Sequence, residues 1–577
     1  MKIIRIKTSA LLLAVFGVFA VCATAQADTY PVAFSASAGG SVSSAGGQYN
    51  SGETVTCTAT PAAGYRFVKW SGDVDEFHHH APTLSVTVGT NALSYSASFA
   101  PMEEGEVALA YRGMCFPNNY MKNTLLFGYA RNIWDMIEFD GKIYYTYGNA
   151  SNFGPGYSGN SGAVTFGLID PLTDALSLDY TTGEDQVRSF RIGDNGNLYA
   201  PGLDACGQGS TTYLYTRAKG GDWTRRMAGG NTHMCDAIEW NGYEVAANRF
   251  STGGAFNSPS PNSGNGDMAY LPLSSHLYYA AESMCRFVPN GASSFWETTQ
   301  MKQNGKADKY DLYPGFAYHK SNPYRVEWPC LGIKPYRPIR YGDSVLYGAA
   351  VRHNDHQHLP VNTSLFMASE NTQAASSSDP ELVVRTVQIG ALTNMASYIN
   401  TMAVGTTRTR TWDFLVKEQG GRKIVVALIE QQTDRNCTTP TLMFVYASEG
   451  DLSEWREIFR FRTPEGTFAR SFEYANGKFY FGLGSEADCG EQIKYLPKCS
   501  SNEKGASIYT GEIYSYAYDL FAASEAPPPA LPTAAFASAA QTVQENAGTV
   551  SISVVLSQAS SSAVSIPFTL GGTALAG

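Results

Sequence analysis

The stretch that decides the fold reads Trp134-Asp135-Met136-Ile137-Glu138-Phe139-Asp140-Gly141-Lys142-Ile143-Tyr144-Tyr145. Apolar runs flank its Asp-Gly pair, and this pattern predicts two antiparallel strands joined by a tight turn. The stretch returns as Cys235-Asp236-Ala237-Ile238-Glu239-Trp240-Asn241-Gly242, and is echoed by Trp412-Asp413-Phe414-Leu415-Val416. A hairpin that recurs along a chain in this way indicates sheets arrayed around one axis.

A second form of the repeat begins with Arg188-Ser189-Phe190 and comes back as Arg470-Ser471-Phe472. Together the two forms give seven starts, near Trp134, Arg188, Cys235, Leu277, Arg340, Trp412 and Arg470. We therefore predict a β-propeller of about seven blades over residues 102–523. Strands around residues 107–110 and 513–516 are expected to pair and close the ring, which removes exposed sheet edges.

Bulk composition agrees with an all-β, multidomain chain. At 577 residues the chain is too long for one core, and its 35 tyrosines and 56 glycines favour twisted, turn-rich strands. Residues 1–27 carry Lys2, Arg5 and Lys7, then an apolar run and a small-x-small site, which together predict a secretory signal peptide. The protein is thus expected to be secreted or placed on the cell surface. No other stretch of the sequence is long and apolar enough to span a membrane.

The charge and the cysteines narrow the partners and the compartment. The net charge is −10 and becomes about −13 once the signal is removed, because that segment holds three cations and no acids. A surface this acidic disfavours nucleic acid and leaves an extracellular carbohydrate or protein as the expected partner. Export favours disulfides, with Cys489 and Cys499 close enough for a local bridge. Cys57 stands alone in an alternating strand and is predicted to be a buried free thiol.

Residues 28–101 read as one small β module with alternating buried positions. Its motif Gly64-Tyr65-Arg66-Phe67-Val68-Lys69-Trp70-Ser71-Gly72 resembles the divergent internalin-type B-repeat of secreted bacterial proteins. The resemblance implies a spacer or adhesion unit. His78-His79-His80 follow three acids there and suggest either a metal site or a polar loop. The loop is favoured, because adjacent residues of an extended chain point in different directions.

The C-terminal part is predicted as a Pro-rich linker over residues 524–532 and a partial β-sandwich over 533–577. Its Glu545-Asn546-Ala547-Gly548-Thr549-Val550 and Gly572-Thr573-Ala574-Leu575-Ala576-Gly577 pieces resemble the Calx-beta domain. That family continues further, so we expect this copy to be truncated. The resemblance implies Ca²⁺ as a cofactor of a complete domain, and Glu545 is the one acid of the pattern present here.

Candidate ligand-binding residues come from the repeat itself. Asp135, Asp236 and Asp413 share one register ahead of an inner strand, and His233 precedes Asp236 by three residues. These groups would ring one mouth of a central channel and bind a ligand, or each Asp would accept backbone N–H bonds in its turn. Arg188 and Arg470 share the sister register, where they would face an anionic ligand or form structural ion pairs.

Two further patterns are compared with known sites. The cluster His353-Asn354-Asp355-His356-Gln357-His358 is the densest metal-like group, with His353, His356 and His358 as candidate ligands. The segments Thr216–Trp223 and Ser448–Trp455 are similar in spacing to the Asp-box turn of sialidases, although Ala218 stands where the Asp belongs. That likeness concerns blade architecture, since the turn is a folding element remote from the sugar site.

We therefore expect a binding or adhesion role, with the propeller recognising carbohydrate or protein. One alternative is a propeller enzyme acting on extracellular polysaccharide, centred on the Asp135, Asp236 and His233 register or the histidine loop. A second alternative is a structural surface spacer. The modules that flank the propeller resemble spacer and adhesion units, and this favours binding over catalysis.

Overall fold

The computed structural model describes residues 28–75, 77–115, 131–148, 163–193, 195–205, 211–230, 234–240, 243–248, 270–272, 286–290, 294–298, 301–302, 310–311, 316–319, 322–327, 334–342, 344–353, 357–370, 382–389, 408–432, 439–485, 509–522, 534–536, 551 and 553–556. Every regular element within these ranges is a β-strand, which confirms the all-β prediction. The chain divides into two compact units, Met1–Tyr518 and Asp519–Gly577.

The N-terminal module of the first unit contains two sheets. Its strands are β1 (Thr29–Ala36), β2 (Gly40–Val42), β3 (Gly46–Asn50), β4 (Thr54–Pro61), β5 (Tyr65–Gly72), β6 (Thr83–Thr87) and β7 (Leu93–Pro101). One sheet has the order β3-β1-β7-β5 and the other the order β2-β4-β6. Alternate residues of β4 and β7 face a core around the fully buried Trp70, whose indole N–H donates to the Ala81 carbonyl. Cys57 lies in this core as a free thiol, as predicted.

Strand β8 (Ala110–Met114) follows the module, and the sheets of the propeller come next. Blade 1 contains β9 (Asp135–Phe139), β10 (Lys142–Thr146), β11 (Thr165–Asp170) and β12 (Ala175–Thr181). Blade 2 contains β13 (Glu184–Val187), β14 (Arg191–Ile192), β15 (Leu198–Ala205), β16 (Thr211–Arg217) and β17 (Trp223–Gly230). Blade 3 contains β18 (Met234–Trp240), β19 (Tyr243–Asn248) and β20 (Tyr270–Pro272).

Blade 4 contains β21 (Arg286–Asn290) and β22 (Ser294–Thr298), then, after a hairpin of β23 (Met301–Lys302) with β24 (Tyr310–Asp311), β25 (Phe316–His319) and β26 (Asn322–Glu327). Blade 5 contains β27 (Lys334–Tyr341), β28 (Ser344–His353), β29 (Gln357–Glu370) and β30 (Leu382–Gln388). Blade 6 contains β31 (Arg408–Gln419), β32 (Arg422–Gln432), β33 (Pro440–Glu449) and β34 (Arg456–Glu465). Blade 7 contains β35 (Phe468–Ala475), β36 (Lys478–Gly484) and β37 (Glu512–Ala517), and its fourth strand is β8.

Contacts between strands of neighbouring blades make the seven sheets described above a ring. Strands β15, β18, β21, β27, β31, β35 and β9 contact one another in succession, so blade 7 returns to blade 1. Strand β8 pairs antiparallel with β37, with Gly113 opposite Ile513, so the predicted closure occurs. The closing strand is Ala110–Met114, later in the chain than the predicted residues 107–110. The predicted start near Leu277 lies outside the described residues, and the first described strand of that blade begins at Arg286.

The hairpin turns explain why the repeat motif is readable in the sequence. Asp140 and Gly141 have φ angles of 52° and 73°, and Asn476 and Gly477 have 49° and 72°. Positive φ at both central residues is the type I′ geometry, which matches the twist of the flanking strands and favours Asn-Gly or Asp-Gly. The apolar runs on either side then pack between blades, as Phe139 and Tyr144 do against blade 2.

Blade 1 is fastened to the closing blade through Asp174. Its carboxylate accepts hydrogen bonds from Lys478 Nζ at 2.9 Å and from the Tyr480 hydroxyl at 2.5 Å, and Arg112 of β8 lies 3.0 Å away. Burial raises the pKa of Asp174, but the hydrogen bonds from Tyr480 and Lys478 and the charge of Arg112 lower it by more, so the net pKa is below its ordinary value.

We expect Asp174→Asn to lower the melting temperature at neutral pH, and the difference from the parent to vanish in acid. Because the folded-state pKa is depressed, the stabilising contribution is complete above the unfolded pKa of about 4 and is lost as the pH falls through the folded pKa. Melting curves from about pH 7 to pH 2 would measure this. The matched control is Asp222→Asn, an exposed turn residue, and a difference that persists unchanged to the lowest pH would contradict the assignment.

The N-terminal module is docked on blades 6 and 7 of the propeller. His80 Nδ1 lies 2.7 Å from Glu512 Oε1, and both side chains are buried. The Tyr111 hydroxyl donates to the Phe77 carbonyl at 3.1 Å, and Lys69 forms an ion pair with Glu465. These contacts hold the module and the propeller together as parts of one compact unit.

In the second unit, β38 (Ala534–Phe536) pairs antiparallel with β39 (Val554–Leu556). Two short paired strands do not test the partial sandwich or the Calx-beta resemblance, which stay predictions, and Glu545 lies outside the described residues. Across the ranges given above, no helix has the length and apolar character needed to cross a membrane.

Candidate functional site

The two repeat forms are partners in neighbouring blades. Asp135 Oδ2 of blade 1 accepts the Phe190 backbone N–H of blade 2 at 2.8 Å. Asp413 Oδ2 of blade 6 accepts the Phe472 backbone N–H of blade 7 at 3.1 Å in the same way. Each Asp therefore joins the first inner-strand residues of one blade to the Arg-Ser-Phe segment of the next.

The arginine that begins each Arg-Ser-Phe segment stacks on the tryptophan that precedes the Asp of the neighbouring blade. The Arg188 guanidinium lies 5.4 Å from the Trp134 ring centre, and the Arg470 guanidinium lies 5.2 Å from the Trp412 ring. Arg470 also lies 3.8 Å from the Trp134 ring, so it bridges blades 6 and 1. We call Trp134, Arg188, Trp412 and Arg470 the Trp–Arg row. Cation–π contacts of this kind are stronger where water is excluded, and all four side chains are buried.

A buried ion pair in blade 6 contacts the Trp–Arg row. Arg410 Nε lies 2.5 Å from Glu430 Oε2, and the same oxygen accepts the Trp412 indole N–H at 2.6 Å. The Trp412 ring stacks on Phe468 with 4.0 Å between ring centres and 7° between planes. Sequence reasoning missed Arg410, Glu430 and Phe468, because no repeat of the motif contains them.

A second charged group lies at the other end of strands β9, β31 and β35, away from the Trp–Arg row. Lys417 Nζ of blade 6 lies 2.7 Å from Glu473 of blade 7 and 3.1 Å from Glu138 of blade 1. Burial lowers the pKa of Lys417, but the two carboxylates raise it by more, so the net pKa lies above its ordinary value. Lys417 is therefore a cation that ties three blades together.

The predicted site residues whose side chains the structure describes therefore make contacts that join neighbouring blades. Asp135 and Asp413 accept backbone N–H groups while buried, and Arg188 and Arg470 stack on indole rings. No observation tests whether these residues also bind a ligand, and that stays a prediction. Asp236 lies in β18, whose side chains are not described, and His233 lies outside the described residues.

The predicted metal residues are placed only by the backbone. His353 pairs with Gln357 and His358 pairs with Arg352, so the two histidines occupy neighbouring positions of the hairpin joining β28 to β29. His356 lies outside the described residues. Where side chains are described, no group of three or more His, Cys, Asp or Glu is arranged to hold a metal ion.

The triple histidine of the module diverges, as its spacing indicated. His78 Nδ1 lies 2.7 Å from Asp75, and His79 Nδ1 lies 3.0 Å from the Trp70 carbonyl. His80 turns instead to Glu512 of the propeller. Adjacent side chains therefore reach three different partners.

The Asp-box-like turns lie between the third and fourth strands of blades 2 and 6. The Trp223 indole N–H donates to Asp179 of blade 1 at 2.6 Å, which fixes the turn to the preceding blade. The Trp455 indole N–H closes its own turn by donating to the Leu452 carbonyl at 3.1 Å. Both contacts are those of a folding element.

The two ends of blades 1 and 7 differ in the length of their connections. At the end where the inner strands begin, residues 115–134, 147–164 and 485–511 link successive strands, and we call this end the long-connection face. At the other end the same sheets turn within residues 140–141, 171–174 and 476–477. The Trp–Arg row and the docked module both lie toward the long-connection face. Binding residues gather on such loops, because a rigid scaffold can carry variable connections there.

The comparisons with known proteins concern the module and the fold. Residues 30–103 match the family model described as "Divergent InlB B-repeat domain". No protein among the curated sequences compared matches the chain.

Several solved propeller structures are similar to this chain, with low sequence identity and low TM-scores. The WD40 β-propeller domain of Doa1 is 10% identical, with a TM-score of 0.33 over 65% of this chain and 94% of that one. The propeller domain of the Trilobed protease from Pyrococcus furiosus is 5% identical, with a TM-score of 0.31 over 62% and 91%. The α-L-arabinofuranosidase Arb93A from Fusarium graminearum is 10% identical, with a TM-score of 0.32 over 72% and 98%. Likeness at this level carries no argument about activity. The predicted B-repeat resemblance is confirmed over residues 30–103, and a β-propeller follows it.

Proposed function

We propose that the chain is an exported binding protein whose propeller recognises an extracellular carbohydrate on its long-connection face. The observation that carries this proposal is the asymmetry of blades 1 and 7, because the longest intervals between their strands lie at one end, together with the docked module. A rigid ring with variable loops on one face is suited to recognition. The acidic charge of the chain favours a neutral sugar over a polyanion.

The contacts between blades support binding more than catalysis. Both described aspartates of the register accept backbone N–H groups of the next blade, which gives each a structural role in the ring. Their buried positions keep the ring rigid, and a rigid ring lowers the entropic cost of binding.

The test is a panel of extracellular polysaccharides, assayed for both binding and turnover. We expect the parent protein to bind at least one glycan without turnover, and His233→Ala with Asp236→Ala to weaken that binding by about tenfold or more, since both belong to the register that the sequence predicts at the mouth of the channel. The matched control is Glu418→Gln at the opposite end of β31, which should leave binding unchanged.

Each other outcome decides between the alternatives. Turnover by the parent that the His233 and Asp236 changes abolish, with folding intact, would replace the binding role with that of a polysaccharide enzyme. Binding only to an extracellular protein would contradict the carbohydrate assignment. Neither binding nor turnover would support a structural spacer.

A further inference from the structure

A cavity of about 170 Å³ lies at the seam between the B-repeat module and the propeller. Its walls come from both sides: Arg66, Lys69 and Pro82 from the module, and Tyr111, Arg462 and Pro464 from the propeller. A cavity of roughly 150 Å³ accommodates a benzene ring in another protein, so this one has room for a single six-membered ring. The lining is mostly apolar, which suits the carbon face of such a ring.

The cavity gathers cations although the whole chain is acidic. Arg66 Nε lies 3.1 Å from Glu106 Oε1, and Arg462 Nε lies 3.4 Å from Glu106 Oε2, so two guanidinium groups flank one buried carboxylate. Burial lowers the pKa of Arg66, Glu106 raises it, and the nearby charge of Arg462 lowers it again, leaving the net pKa below its ordinary value. The attraction of Glu106 exceeds the repulsion between the two guanidinium groups, and an added anion beside Arg462 would offset that repulsion further.

The remaining carboxylates at the seam are exchangeable partners. Lys69 pairs with Glu465, whose side chain is 43% exposed, and Arg462 pairs with Glu103, whose side chain is 63% exposed. Exposed ion pairs contribute little to stability, so a ligand carboxylate can displace either acid at small cost. Glu106 is fully buried and is not exchangeable in this sense.

We propose that this seam cavity binds a ring-sized carboxylate, seated with its ring against the proline and tyrosine walls and its carboxylate between Lys69 and Arg462. Such a group comes either from a uronic acid unit of a polysaccharide or from a free aromatic acid. The cavity includes no residue of the three long connections or of the Trp–Arg row, so it does not depend on the function proposed above. It gives the B-repeat module a binding role that exists only while the module is docked.

The test uses the full chain and three small probes: galacturonate, galactose and benzoate. Galacturonate differs from galactose by its carboxylate, so calorimetric titration with this pair isolates the charge. We expect Lys69→Met to weaken carboxylate binding by about tenfold, and Glu465→Gln to strengthen it several-fold by freeing Lys69 from its competitor. The control is Arg456→Gln, because Arg456 lies on the same strand as Arg462 but outside the cavity. This change should leave the affinities for galacturonate and benzoate unaltered.

The outcomes separate the two sources and test the site itself. Galacturonate binding that exceeds galactose binding supports the proposal and indicates a uronic acid. Benzoate binding alone supports the proposal and indicates a free aromatic acid. The proposal would be overturned if the protein bound neither acid. It would also be overturned if Lys69→Met and Glu465→Gln, with unchanged melting temperatures, shifted the affinity in the same direction.

Discussion

Glu430→Ala is expected to lower the free energy of unfolding by about 3–5 kcal/mol, the cost typical of breaking a buried ion pair on one side. The change leaves the Arg410 guanidinium in a buried position without the carboxylate 2.5 Å away. It also removes the acceptor of the Trp412 indole N–H. Urea unfolding followed by tryptophan fluorescence would measure the loss.

The control for this prediction removes both charges at once. Arg410→Met with Glu430→Met should recover most of the lost stability, because two apolar side chains of similar volume do not leave a buried charge. Glu430→Gln keeps an acceptor for Trp412 and should cost less than the alanine change. A loss below about 1 kcal/mol for the single alanine variant would show that the pair is not desolvated as described.

Glu512→Ala is expected to cost about 3 kcal/mol and to loosen the N-terminal module together with the closing strand. Glu512 is buried, its Oε1 lies 2.7 Å from His80 of the module, and its Oε2 accepts the Tyr514 hydroxyl at 2.7 Å. Its backbone also pairs with Met114 of β8. One residue therefore joins module docking to ring closure, and hydrogen exchange should rise in both β8 and the module.

A double-mutant cycle checks this coupling. His80→Ala and Glu512→Ala should be non-additive by more than about 0.5 kcal/mol, because the two side chains are in direct contact. Tyr514→Phe removes one hydrogen bond and should cost only about 1 kcal/mol. Additive effects of the first two changes would mean that the module and the closing strand open independently.

The architecture was predictable because its signals are local. The Asp140-Gly141 and Asn476-Gly477 turns require positive φ, and only a few residue pairs adopt it, so the hairpins can be recognised from the sequence alone. The B-repeat motif is equally local, since Trp70 and its alternating neighbours form one small core. The closing pair of β8 and β37 followed from the need to remove two sheet edges.

The partners of the predicted site residues were not predictable, because they lie in other blades. Nothing near Asp413 in the sequence indicates that its carboxylate reaches the Phe472 backbone, 59 residues away. His80 and Glu512 are 432 positions apart, and a polar loop was all that the histidine run indicated. The sequence located the register but not the neighbour that each member contacts.

The closing strand also sets the order in which a growing polypeptide can assemble. Arg112 of β8 and its partner Ser515 are separated by 403 positions, so β8 must wait unpaired while nearly the entire ring is synthesised. The module ahead of it can fold first and keep that strand tethered. A nascent chain that stops before residue 512 would lack β37, leaving an open edge able to recruit strands from other copies.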